Sequence, residues 1–262
     1  RFVAHFDLPK SPEAYYQETG RAGRDGEPSE AWMTYGLNDV VIHRQMIEDS
    51  PSPIEQKRVE RQKLDAMLAY CESAQCRRVV LLNYFGEDAV PCGNCDVCID
   101  PPQVWDGTVA AQKALSAALR TGQRFGAGHL IDILRGKLTD KVRQYGHESL
   151  PTFGVGVDLD EMAWRSVFRQ LLASTFMEAD AHAYGALKLT DAARPILKGE
   201  TVLTLRRHSV RSKSKTSKAP RSRQSNSGLA MAGDDAPFFV FFFLWRAERR
   251  VKRAFQAMSF CT

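Results

Sequence analysis

No phosphate-binding loop of the form G-x-x-x-x-G-K-[ST] occurs in the 262 residues, and no Asp-Glu-x-His metal motif either. A chain without them is not expected to hydrolyse ATP by itself. Long apolar runs are also missing. The most apolar stretch, Phe238 to Trp245, has eight residues, where a membrane helix needs about 20, so no membrane association is expected. There is no initiating Met and no secretion signal. Six cysteines in such a chain point to a reducing, cytoplasmic compartment and to thiols that bind metal rather than pair as disulfides. Acidic residues are absent from residues 201–223, which carry eight Lys or Arg. That stretch exceeds the +5 net charge of the whole chain, so the rest is slightly acidic and the basic balance reports a tail rather than a DNA-binding fold.

What is present, 44% hydrophobic and 26% charged residues, suits a globular protein of one large or two small domains. Residues 1–6 read as a buried strand, and Ser11-Pro12 starts a helix, with serine as cap and proline at the first helical position, that ends at Gly20. A second strand is expected near Ala31–Tyr35, giving a piece of a parallel α/β lobe. Residues 54–73 carry a helical apolar stripe of Val59, Leu64, Met67, Leu68 and Cys71. A short helix opens at Cys76 and runs through Phe85. Helices at 109–120, 128–135 and 160–173, followed by strands near 175–178 and 186–189, are in winged-helix order. Residues 206–233, rich in Ser, Lys and Arg, read as a disordered linker. The expected class is multidomain α+β.

Cys76, Cys92, Cys95 and Cys98 are spaced C-x15-C-x2-C-x2-C. Four thiolates suit tetrahedral Zn²⁺ in a closed and therefore structural site. Gly93 allows a knuckle that frees backbone N–H groups toward sulfur, and Arg77 and Arg78 offset the negative charge of a zinc held by four thiolates. An iron–sulfur cluster also uses C-x2-C-x2-C, but the Cys-Pro of ferredoxin motifs does not follow Cys98. Four unligated core cysteines are the other alternative, disfavoured because three fall within seven residues. Cys71 lies on the apolar stripe and reads as core; Cys261 is isolated.

Residues 15–26 read Tyr-Tyr-Gln-Glu-Thr-Gly-Arg-Ala-Gly-Arg-Asp-Gly. Gly20 and Gly23 permit a tight turn at a helix end, and Arg21 and Arg24, three apart, can aim at one site. Guanidinium groups delivered from a neighbouring lobe stabilise the charge of phosphoryl transfer. Gln17, Arg21 and Arg24 are the candidate catalytic residues. A solvated Gly-Arg loop is the alternative for a bare G-R-x-G-R.

In the third unit, Trp164, Val167, Phe168, Leu171 and Leu172 form a core stripe. Arg165 and Arg169 flank it and, with Lys141 and Arg143, are candidate phosphate contacts, weighed against a plain solvated face. The wing tip, near Ala179–Tyr184, offers His182 and Tyr184 to DNA but no clear wedge. His129 and His147 are expected to be core or hydrogen-bonding residues, and Gly154-Val155-Gly156 a turn.

The string at 15–26 resembles motif VI of superfamily-2 helicases. The stretch from Cys76-Arg77-Arg78 through Tyr84-Phe85-Gly86-Glu87 to Pro91-Cys92-Gly93-Asn94-Cys95-Asp96-Val97-Cys98 resembles the zinc-binding subdomain of the RecQ DNA helicases. Residues 105–200 are similar to the winged helix of that family, called RQC. The resemblance implies part of an ATP-dependent 3′–5′ DNA helicase acting in recombination, repair, replication and the SOS response. It implies structural zinc here, and ATP with Mg²⁺ in an intact helicase. DNA with single-strand/duplex junctions is the implied partner, with a single-strand-binding protein at the winged helix, in the bacterial nucleoid. The expected division is 1–45 as the end of motor lobe 2, 46–104 as the zinc-binding subdomain, 105–205 as the winged helix, 206–233 as linker, and 234–262 as a truncated or frame-shifted start of an HRDC domain. A non-enzymatic zinc and winged-helix regulator is the competing function, and Gln17 to Arg24 is the feature it has no use for.

Overall fold

The computed structural model describes residues 2–22 and 29–207, which belong to one compact unit. Strand β1 (Phe2–His5), helix α1 (Pro12–Thr19) and strand β2 (Glu30–Met33) open the chain. β1 and β2 pair in parallel from Phe2↔Glu30 to His5↔Met33. The Ser11 hydroxyl caps α1 by accepting from the Ala14 N–H, with Pro12 at the first turn. The strands are less covered than the sequence led one to expect: Phe2 is 56% and Trp32 62% exposed. The sheet has two strands, too few to bury both faces.

Helices α2 (Leu37–Asp49) and α3 (Ile54–Glu72) follow, then α4 (Arg77–Tyr84) and α5 (Asp96–Ile99). The C-terminal half of α3 buries Leu64, Met67, Leu68, Tyr70 and Cys71 against Leu8, Tyr15, Val40 and Ile47. Val59 departs from the expected stripe and is 47% exposed, because the first turns of α3 run beyond that core.

Strand β3 (Val104–Asp106), helices α6 (Thr108–Arg120), α7 (Ala127–Leu134), α8 (Asp140–Gln144) and α9 (Glu161–Ala173), strands β4 (Met177–Asp180) and β5 (Ala186–Leu189), helix α10 (Arg194–Leu197) and strand β6 (Thr204–Arg206) complete the described chain. β4 and β5 form an antiparallel hairpin, the wing. β3 and β6 pair antiparallel and close the domain on itself. The α9 stripe is the centre of the core: Trp164, Phe168 and Leu171 are fully buried and Val167 and Leu172 nearly so, against Leu115, Leu130, Leu134 and Ile196. Each such side chain contributes about 1.5–3 kcal/mol by leaving water. The Trp164 Nε1–H donates to the Gly156 carbonyl at 2.7 Å, and a Cβ on Gly156 would lie 2.5 Å from the indole. The Gly154–Gly156 segment is thus a turn that seats the tryptophan.

The wing begins two residues later than the sequence suggested. Ser174 to Phe176 close α9, with Thr175 at φ 56° and the Phe176 N–H on the Leu171 carbonyl, so pairing starts at Met177. At the other end of the domain, Arg206, assigned from sequence to the linker, is the last residue of β6. Arg24 and the expectations for residues 208–262, including the Phe-rich run, lie outside the described residues.

Candidate metal centre and nucleic-acid face

The end of α3, the start of α4 and the short α5 bring four sulfurs together. Cys76 sits just before α4, Cys95 just before α5 and Cys98 within it. All four Sγ atoms lie within 4.8 Å of one another, with Cys76 to Cys92 at 3.5 Å and Cys76 to Cys95 at 3.9 Å. A tetrahedron with Zn–S near 2.3 Å has edges of about 3.8 Å, so the sulfurs fit a zinc ion with little movement. Gly93 has φ +72°, so the knuckle that the sequence called for turns through a left-handed glycine. The Cys92 N–H donates to Cys76 Sγ at 3.3 Å. Burial opposes ionisation of Cys76, but backbone N–H groups and the neighbouring thiol hold its pKa down to about 6. Cys98 accepts from the Gly93 N–H, yet the sulfurs crowding it push it up to about 11. Four thiolates cannot share this volume without a cation; a bound metal removes that repulsion and displaces the protons. Cys71 is buried away from the cluster, and burial pushes its thiol up to about 12, as suits a core residue.

Arg77 does more than offset charge. Its Nε and Nη2 form a fork on the Asp96 carboxylate, each at 3.0 Å. Its Nη1 donates to the carbonyls of Tyr70 at 2.5 Å, Cys71 at 3.1 Å and Ser73 at 3.3 Å. One side chain therefore ties the knuckle to the C-terminal end of α3. Arg78 is exposed.

Gln17 and Arg21 are exposed on and just beyond α1, one turn apart. The buried side of the helix is held by Tyr15, whose hydroxyl lies 3.3 Å from that of Tyr70 on α3, and by His5 Nε2, which lies 2.7 Å from Glu18 Oε2. Tyr84 donates to Glu13 at 3.1 Å. α1 thus rests on the metal-binding helices with its Gln17–Arg21 edge outward. Gly20 differs from expectation: its φ is −61°, ordinary helix backbone. A side chain there would approach the Tyr16 carbonyl to 3.2 Å, so smallness rather than backbone freedom is what the site uses.

The candidate phosphate contacts are not all free to meet DNA, since Arg169 is engaged inside the protein. Lys141 and Arg143 are exposed on α8, and Lys141 Nζ lies 5.4 Å from the centroid of the Phe125 ring. Phe125 stacks on His129 at 4.4 Å and gives its carbonyl to the Leu187 N–H of β5, so Lys141 neighbours the wing. At the wing tip Tyr184 is fully exposed, and His182 is exposed beside it. Arg165, on α9, is 2.8 Å from Glu161. Arg135 and Lys137 are nearby, two residues that nothing in the sequence pattern singles out. Arg169 turns inward. Its Nε donates to Glu72 at 2.9 Å, and its guanidinium lies 5.9 Å from the centroid of the Tyr35 ring. The Tyr35 hydroxyl donates to the same carboxylate. Burial opposes the charge of Arg169, but Glu72 outweighs it and raises the pKa.

His129 Nε2 and His147 Nδ1 are 2.8 Å apart in the core. Burial, then the neighbouring histidine, lowers His129 to about 4, and burial lowers His147. Both are core, hydrogen-bonding residues, as the sequence suggested; that they pair with each other it did not show.

Two family models match the chain: RecQ zinc-binding over residues 37–99 and RQC domain over residues 101–214. The chain is 48% identical over 208 residues to the ATP-dependent DNA helicase RecQ of Pasteurella multocida, covering 78% of this chain and 33% of that protein. It is 47% identical over 208 residues to its Haemophilus influenzae counterpart, with the same coverage. It is 34% identical over 201 residues to the Bacillus subtilis one, covering 76% of this chain and 34% of that protein. The chain thus spans about a third of the length of these relatives.

Proposed function

Because the chain belongs to the RecQ family, whose zinc-binding and RQC regions it carries, we propose that it is the DNA-gripping and arginine-finger portion of an ATP-dependent 3′–5′ DNA helicase. Zn²⁺ at Cys76, Cys92, Cys95 and Cys98 is structural, which the closed four-sulfur geometry supports. The observation that carries the helicase reading over a simple DNA-binding regulator is the seating of α1. Its Gln17–Arg21 edge is held outward by contacts to α3 and α4, a rigidity that a regulator has no use for. Arg21 and Arg24 act on the γ-phosphate charge of an ATP·Mg²⁺ complex bound by an adjoining lobe, with Gln17 beside them.

DNA is gripped by Lys141 and Arg143 beside the wing, by Arg165, and by the basic residues after Arg207, while His182 and Tyr184 meet bases at a single-strand/duplex junction. The setting is the DNA of a bacterial cell, in recombination, repair and replication. A single-strand-binding protein docks at the start of α9, where exposed Leu138, Met162 and Val155 lie among Arg135, Lys137 and Arg165. Turnover and DNA affinity, measured in a polypeptide that also carries the ATP-binding lobe, test the central reading. Arg21→Ala or Arg24→Ala should lower turnover by about 10³-fold or more, the scale of arginine fingers, with DNA affinity little changed. Unchanged turnover in both variants overturns it.

A further inference from the structure

The C-terminal end of α3 is served by two arginines from opposite directions. Arg77 reaches it from the metal knuckle. Arg206 reaches it from β6: its Nη1 donates to the Cys71 carbonyl at 3.2 Å and the Ser73 carbonyl at 3.3 Å. Both side chains share those two acceptors. A helix end leaves its last carbonyls without partners and carries partial negative charge, so cations there are stabilising. Arg206 is itself held in register by Gln170 of α9, whose side-chain amide pairs with the Arg206 backbone as a neighbouring strand would, at 2.7 and 3.0 Å. The chain of contacts is continuous, from α9 through Gln170 to Arg206, across the α3 carbonyls to Arg77, and by its fork to Asp96 between two of the cysteines.

We infer that Arg206 is a positioning residue for the metal centre, so that the winged helix governs how firmly zinc is retained. It touches no sulfur and acts through the shared carbonyls that also locate Arg77. Coupling between sites is reciprocal in free energy: loosening β6 should weaken zinc binding, and zinc loss should loosen β6. The inference goes beyond the helicase reading and stands apart from it, since it involves neither DNA nor ATP.

Zinc transfer from the full chain to a chromogenic chelator is the direct test, after one zinc per chain has been established. Arg206→Met should release zinc on the order of tenfold faster, near the lower end of the usual range for coupled sites. Arg207→Met, on the exposed neighbour, should release it at the wild-type rate. Equal rates for wild type and Arg206→Met, or equal acceleration by both variants, overturns the inference. If Arg206→Met does not fold, hydrogen exchange on the wild-type chain decides. Stripping zinc should accelerate exchange of the β3–β6 amides at Trp105 and Leu205 while the α6 and α7 amides stay protected. Unchanged β3–β6 exchange overturns the inference.

Discussion

Arg169→Met separates an interior clasp from a DNA contact. The Glu72 side chain is 7% exposed and that of Arg169 21%, with 2.9 Å between Nε and Oε1. Removing the guanidinium leaves the carboxylate with the Tyr35 hydroxyl as its remaining side-chain donor among the contacts described. Stranding one partner of a buried ion pair costs about 3–5 kcal/mol. Because Arg169 keeps some contact with water, the lower end applies, about 3 kcal/mol. For a unit of roughly 200 residues this corresponds to a fall in melting temperature of about 6–12 °C. Urea unfolding followed by circular dichroism gives the free energy. Fluorescence anisotropy with a tailed duplex, under conditions where the variant is folded, gives the DNA affinity. Affinity should stay within about twofold, and the double variant Arg169→Met, Glu72→Met should recover much of the stability, since no charge is then stranded. A stability loss under about 1 kcal/mol together with a large drop in affinity would refute this and return Arg169 to the surface role suggested by its position in the sequence.

Cys→Ser at position 76, 92, 95 or 98 should abolish stoichiometric zinc and cost solubility by loosening the metal-binding helices, because metal binding is coupled to folding; Cys71→Ser should keep a full zinc content, and elemental analysis that finds iron would contradict the site. Acidification should destabilise the winged helix. His129 and His147 have folded pKa values below the unfolded value near 6.5, so the fold favours their neutral form, and stability is lost as pH falls from about 6.5 toward 4. His129→Gln should flatten that part of the stability–pH curve, and an unchanged curve would speak against the pair. Truncation after Arg207 removes six Lys or Arg between Arg211 and Arg223. The log–log salt slope for duplex binding should shrink by up to about 0.9 for each phosphate that the truncated chain leaves unneutralised, and a slope that stays the same would place DNA binding wholly on the folded unit.

Much of this architecture can be read from local rules. Ser11-Pro12 marks the start of α1 because a cap and a fixed φ act on adjacent residues, and the α9 stripe reveals its buried face through spacing alone. The four cysteines are legible because tetrahedral zinc imposes short ligand spacings. What escaped the sequence depends on partners far along the chain. Arg169 and Arg165 occupy equivalent places beside the same stripe, yet one meets Glu72, 97 residues away, and the other Glu161 on the next turn. Arg206 looks like the first residue of a basic tail because seven more basic residues follow it within the acid-free stretch. Its strand exists only through pairing with residues a hundred positions earlier. Val59 matches the helical period but not the extent of the core beneath it. Periodicity gives a direction around a helix and says nothing about how far the neighbouring surface extends.

The wing tip has a mechanical consequence. Gly185 sits at φ +75°, and a Cβ there would lie 2.6 Å from Val41 of α2, so the hairpin is pinned against α2 one residue after Tyr184. A beam clamped that close to its end sweeps through little space. The backbone that carries Tyr184, at φ 51°, is therefore a fixed base, while the fully exposed ring keeps its own rotations. The backbone part of the ordering entropy at that position is settled at folding, which is the thermodynamic advantage of a preorganised scaffold. If the proposed contact of Tyr184 with DNA is made, the hairpin backbone will not move to meet the strand, so the flexibility of the DNA should set which junctions fit.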